Sequence, residues 1–227
     1  MTGQALFPGM PDEGLAFLED LEERNTREFF DAHRQVFREQ VQAPFAALVE
    51  AAAGRLRRSV PGLGQPKVHR IYRDLRFRKD KTPYNTSMSG WVAHPAAAPG
   101  RIQGSYYVNV GPAGMYAAGG LYHPERPELE RLRAAVADPD AGGELARILR
   151  RAAGRGLERW LDPLQRVPRP YPADHPMAEL LRARSLTLHR RHERGPWLLT
   201  AELLDRLLGD WRALVPLNRW LADLPEE

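Results

Sequence analysis

A chain of 227 residues, 43% hydrophobic and 27% charged, has an ordinary globular composition and enough length for one domain with a substantial core. No apolar run approaches the roughly 20 residues that cross a bilayer, the N-terminal Met-Thr-Gly-Gln-Ala-Leu-Phe-Pro has no signal-peptide pattern, and the absence of cysteine excludes disulfides, thiolate nucleophiles and Cys-ligated zinc. A soluble, cytoplasmic protein is expected, and the net charge of +4 is a mild bias toward phosphate-bearing partners.

Neither an internal repeat nor a low-complexity linker divides the chain, so 1–227 reads as one domain: helical over 11–58, sheet-rich over 67–121 and helical over 124–223. Pro11 and Asp12 open a first helix with Leu15, Leu18 and Leu21 on one face. A second is predicted from Asn25, with Glu28 completing a capping box. Its apolar positions keep helical spacing to Leu56, past Pro44, which should kink or interrupt it. After a Gly/Pro loop over 59–66 the period changes to two. His69, Ile71, Leu75 and Phe77 fall on one side of a predicted strand, and Arg70, Tyr72, Asp74, Arg76 and Arg78 on the other. Arg73 is the exception on the apolar side.

Further strands are expected at 90–94, 102–110 and 115–121, with Gly111-Pro112-Ala113-Gly114 as a hairpin turn and Gly119-Gly120 ending the last strand. Helices return from Pro124 or Pro127, over about 143–161, over 174–184 and from Thr200 onward, with a short strand at 185–189. The predicted fold class is α+β, a mostly antiparallel sheet flanked by N-terminal and C-terminal helical segments.

The segment 67–86, KVHRIYRDLRFRKDKTPYNT, carries seven Lys and Arg residues and two aspartates, with Tyr72, Phe77 and Tyr84 between them. All the lysines of the chain, Lys67, Lys79 and Lys81, fall here. Arginine offers a bidentate fork and lysine a mobile point charge, so together they suit an oxyanion. Arg70, Arg73, Arg76, Lys79 and Lys81 are the candidate ligand-binding cations, Asp74 and Asp80 would orient them, and Tyr84 would add a hydroxyl. The expected partner is a small anionic or phosphorylated ligand. The same residues also suit a salt-bridge network that only supports the fold.

The run RIYRDLRFRKDKTPYNT resembles the signature of a conserved, uncharacterised family of bacteria and fungi, a domain of unknown function whose members carry a pattern near R-I-x-R-D-x-R-F-S-x-D-K-x-P-Y-K. The resemblance spans about 6–223. It includes Phe17-Leu18, Asn25 followed by Phe29-Phe30, Gly119-Gly120 with Pro124, Leu129 and Arg133, Val167-Pro168, and Asp174-His175-Pro176. This chain departs from the pattern at Arg78, where the family often has serine, and at Asn85, where it often has lysine. The resemblance implies no reaction.

Other signals point elsewhere. His189 and His192 would share a helix face, but Arg190, Arg191 and Arg194 would repel a cation there, so no metal and no cofactor is expected. Arg147, Arg151, Arg155 and Arg159 recur every four residues, a cationic stripe that would suit nucleic acid as an alternative partner. A structural or protein-interaction domain is a further alternative. No nucleophile elbow, Walker loop or HExxH is present, so no catalytic residue is assigned.

Overall fold

The computed structural model describes residues 7–74, 76, 80–95 and 104–224. Helix α1 (Asp12–Glu23) buries Leu15, Leu18 and Leu21, the face its spacing predicts. Gly14 lets it approach the next helical segment closely: a Cβ there would lie 2.0 Å from the carbonyl oxygen of Gln40.

Helix α2 (Arg27–Ala32) has its N-cap at Thr26, one residue beyond the predicted Asn25. Thr26 caps it by accepting from the Phe29 N–H, so the capping box with Glu28 is not formed and Asn25 is free for another task. A short turn α3 (Arg34–Val36) runs into a π-helical segment, Phe37–Gln42, and then into α4 (Ala43–Leu56). Pro44 therefore does interrupt regular geometry. The wider π turn before it accommodates the missing N–H and the ring without ending the helix.

Six strands form one antiparallel sheet in the order β1-β2-β3-β4-β6-β5: β1 (Lys67–Val68), β2 (Met88–Val92), β3 (Ser105–Gly111), β4 (Gly114–Leu121), β5 (Glu158–Trp160) and β6 (Leu186–Glu193). The fold is α+β. Pro112 and Ala113 make the β3–β4 turn, and Tyr107 faces Ala118 while Asn109 faces Tyr116 across it. The C-terminal helices are α5 (Arg126–Ala137), α6 (Pro139–Ala153), α7 (Ala178–Leu181) and α8 (Glu202–Ala222).

Several expectations need correction. Among the described residues of the predicted strand over 67–78, only Lys67–Val68 are a strand of the sheet. The helix expected over 143–161 ends at Ala153, where Gly154 and Gly156 follow, and residues 158–160 are an edge strand instead. The helix expected over 174–184 is the four-residue α7. The C-terminal stretch is thus helical with two strands of the sheet threaded through it.

The sheet alternates inward and outward residues, and α4 and α8 pack on its inner face. Gly90 faces Phe45 and Val49 of α4, and Gly119 faces Leu214 and Asn218 of α8. A Cβ at Gly119 would come within 2.5 Å of the Ser105 carbonyl, so the glycine pair serves tight strand and helix packing. Tyr106, Leu188, Trp211 and Leu214 fill the centre of this core, and Trp197 and Trp220 are buried with them. Trp211 Nε1 donates to the Tyr107 carbonyl at 3.1 Å, tying α8 to β3.

Candidate functional site

Beyond Val68 the chain forms a narrow ribbon. Tyr72 pairs with Tyr84 in an antiparallel bridge, with the Arg73 N–H donating to the Pro83 carbonyl and the Asn85 N–H to the Ile71 carbonyl. In such a pair the N–H and C=O of Tyr84 point away from Tyr72 and need partners elsewhere. Asn25 supplies both: its Nδ2 donates to the Tyr84 carbonyl, and its Oδ1 accepts from the Tyr84 N–H, each at 3.0 Å. The ring of Tyr84 stacks on Phe30 at 4.1 Å between centroids, and Tyr72 leans on both. The result is an arm clamped at its root to the α1–α2 junction.

At the tip the charges meet one another. The Arg73 guanidinium, 15% exposed, donates to Asp80 at 2.7 Å and also to the Thr82 hydroxyl. The Thr82 N–H, Arg73 and the Thr82 hydroxyl all favour ionised Asp80 and hold its carboxyl down to about 2. Arg76 grips Asp74 through Nε and Nη2 at 3.0 and 2.6 Å, and both side chains are exposed. That contact raises the Arg76 guanidinium above its usual value.

The predicted ligand-binding residues therefore divide. Arg73, Asp74, Arg76, Asp80 and the exposed Lys81 lie at the tip. Arg70 is exposed near the root and makes no ion pair with a described residue. Tyr84 is also at the root, its ring buried and its hydroxyl raised by that burial, away from the tip cations. Lys79, Leu75, Phe77 and Arg78 lie outside the described residues.

Where the arm returns to the sheet, a cleft of about 180 Å³ opens between Glu22, Thr86, Ser87, Asn109, Tyr116 and Arg191. It belongs to the outer face of the sheet, opposite α4 and α8. Trp91, Tyr107, Tyr116 and His189 stand half-buried on that face, with Lys67 and Arg191 over two of the rings. Sequence reasoning missed Trp91, Tyr107 and Tyr116, and met Lys67, His189 and Arg191 only in other arguments. The available signal was the second face of each strand: an outward set of rings, amides and cations where a solvated face usually carries small polar groups.

The histidines and the arginine stripe resolve differently from expectation. His189 and His192 lie on strand β6, not on a helix. His192 contacts Asp210 of α8 at 2.7 Å, with Arg190 2.8 Å from the other carboxylate oxygen. Burial pushes the Asp210 carboxyl up, and His192 and Arg190 oppose that shift. Among the described residues no cluster of three or more His, Cys, Asp or Glu has metal-holding geometry. Because α6 ends at Ala153, only Arg147 and Arg151 of the stripe share a helix, while Arg159 sits on β5 and pairs with Glu179 at 3.5 Å. The stripe is not a continuous surface.

These features define a class: a two-layer α+β protein with a helix-covered sheet and a clamped basic arm at the β1 edge. The family of conserved hypothetical proteins DUF2461 matches residues 13–220, and the chain belongs to it. No curated protein and no solved structure matches the chain. Among the described residues no helix is long and apolar enough to cross a membrane.

Proposed function

We propose that this protein is a ligand-binding module that takes a small anionic or phosphorylated molecule on its basic arm, in the cytoplasm. The observation that carries this reading is the contrast between root and tip. The root is fixed by Asn25 and by the Phe30–Tyr84 stack, while Arg76, 77% exposed, stands outside it. An exposed pair such as Arg76–Asp74 adds little to stability, so it orders the loop without accounting for so basic a surface. Arginine held by a carboxylate keeps further N–H donors for an oxyanion, and Lys81 and Arg70 add charge. Loops carried on a rigid scaffold are where binding residues concentrate.

A thermal-shift screen with inorganic phosphate, nucleotides and sugar phosphates tests the reading. A ligand present at 100 times its dissociation constant stabilises by about 2.7 kcal/mol. The expected result is a raised melting temperature that the double variant Arg76→Ala, Lys81→Ala no longer shows. No shift with any of these anions, or an equal shift in the variant, overturns it.

A further inference from the structure

We propose that the outer face of the sheet is a stacking platform for single-stranded nucleic acid, with bases on Trp91, Tyr107 and Tyr116 and phosphates on Lys67 and Arg191. This goes beyond the anion reading of the arm and rests on a different set of residues.

The first observation is an aromatic row that crosses the strands. Lys67 pairs with Trp91, Trp91 with Tyr107, and Tyr107 with Ala118, which pairs with His189, all in register. Tyr116 fills the adjacent row: its ring lies 6.2 Å from Tyr107 and 5.4 Å from His189. Tyr107, Tyr116 and His189 thus form one chain of ring contacts on the face opposite α4 and α8, with Trp91 beside Tyr107 in the register. At the far end Tyr122 and Trp160, 49% and 36% exposed, pack together at 5.4 Å.

The second observation is where the cations lie. Lys67 Nζ sits 4.9 Å from the Trp91 ring centre, and the Arg191 guanidinium 5.8 Å from that of Tyr116. They bracket the row from β1 to β6, four strand spacings or about 19 Å apart. Neither has a carboxylate partner among the described residues. Glu158, the acid nearest the row on β5, approaches His189 at 3.7 Å.

The third observation chooses the occupant. Two polar pairs on this face satisfy one another: Asn109 donates to Ser87 at 2.8 Å, and His69 meets Ser89 at 2.9 Å. Ring surface with Lys67 and Arg191 beside it matches unstacked bases joined by phosphates, and the exposed acids Glu22 and Glu158 lie at the margins of the row. Exposed sheets in single-strand binding modules stack two or three bases in this way. The exposed Arg70 continues the positive charge past Lys67 at the same edge.

The test is fluorescence anisotropy with labelled 12-mers of oligo(dT) and oligo(U), and the matching duplexes, at low and moderate salt. Single strands are expected to bind and duplexes to bind far more weakly, because paired bases cannot stack on a protein surface. Trp91→Ala and Tyr107→Ala should each weaken binding by about 5- to 150-fold, the effect of losing one stacked base. The log–log salt slope is expected to be about −0.7 for each phosphate neutralised, and Lys67→Gln with Arg191→Gln should flatten it by about 1.4. Circular dichroism melts of each variant confirm that it is folded; Lys67→Gln with Arg191→Gln, which removes no ring, carries the test where a ring variant does not fold.

Absence of binding at low salt, equal binding of single strand and duplex, or full affinity in the ring variants overturns the proposal. Arm and platform fail separately. Loss of oligonucleotide binding in the ring variants with the phosphate-induced melt shift retained leaves the arm reading standing. Oligonucleotide binding that survives Arg76→Ala, Lys81→Ala but is lost in Trp91→Ala places the platform on the sheet alone.

Discussion

Asn25 acts as a third strand for Tyr84. Its amide offers one donor and one acceptor with the spacing of a peptide group, and both meet the Tyr84 backbone at 3.0 Å across 59 residues of sequence. No other residue type of similar size presents a donor and an acceptor on one rigid plane without charge.

Asn25→Ala removes both contacts and leaves two backbone groups of a buried residue without partners. Each such group costs about 1–3 kcal/mol, partly recovered by water at a surface site, so a loss of about 2 kcal/mol is expected in urea denaturation. The released arm should also be cut faster by trypsin in the native protein. Unchanged stability together with unchanged cleavage would show that the clamp does not hold the arm.

Arg73 and Arg76 should separate a structural from a functional role within one motif. Arg73 is nearly enclosed and satisfies Asp80 and Thr82, so Arg73→Ala is expected to cost about 1 kcal/mol, near the net value of a hydrogen bond. Arg76→Ala should leave the melting temperature unchanged, because its pair with Asp74 is solvated. Thermal melts of both variants decide it; equal destabilisation would make the whole motif a fold determinant.

Asp80 should titrate far into the acid range. Its folded value of about 2 lies below the ordinary carboxyl value of 3.8, so its contribution to stability is fully present above pH 3.8 and is lost as pH falls through about 2. Carbon-detected NMR of the Asp80 carboxyl should give a midpoint near 2, with the Thr82 amide following the same curve. A midpoint at the usual carboxylate value would show that the Arg73–Asp80–Thr82 contact is not formed in solution.

Asp210 carries the opposite sign. Burial raises its carboxyl above 3.8, against the attraction of His192, Arg190 and Arg206. A raised value favours the protonated folded form, so the contribution is complete below pH 3.8 and is lost as pH rises through the folded value. Asp210→Asn, neutral throughout, is the reference. The stability of the parent relative to this variant should grow as pH is lowered toward 3.8, measured by chemical denaturation; a difference that shrinks with falling pH would contradict the burial argument.

Local pattern reached most of the elements. Leu15, Leu18 and Leu21 mark the buried face of α1, and Leu204, Leu207, Trp211 and Leu214 mark that of α8, because 3.6-residue spacing puts a stripe against the core whatever lies opposite. The motif was legible as a location but not as a shape. Its alternation suggested a long strand, yet Ile71 alone is buried among the described apolar positions there, and the chain departs after Val68 because a two-residue strand is all that β2 pairs.

What sequence alone determined is what neighbours along the chain decide: helix faces, the β3–β4 turn, the antiparallel class and the basic segment at 67–86. Tertiary structure decided which face of the sheet stays open, which guanidinium meets which carboxylate, and that Asn25 turns from its helix to hold Tyr84. These depend on groups tens of residues apart, whose meeting is set by packing of the whole core. Periodicity records that a side chain points outward, and only the assembled sheet places Lys67, Tyr107 and Arg191 on the same side.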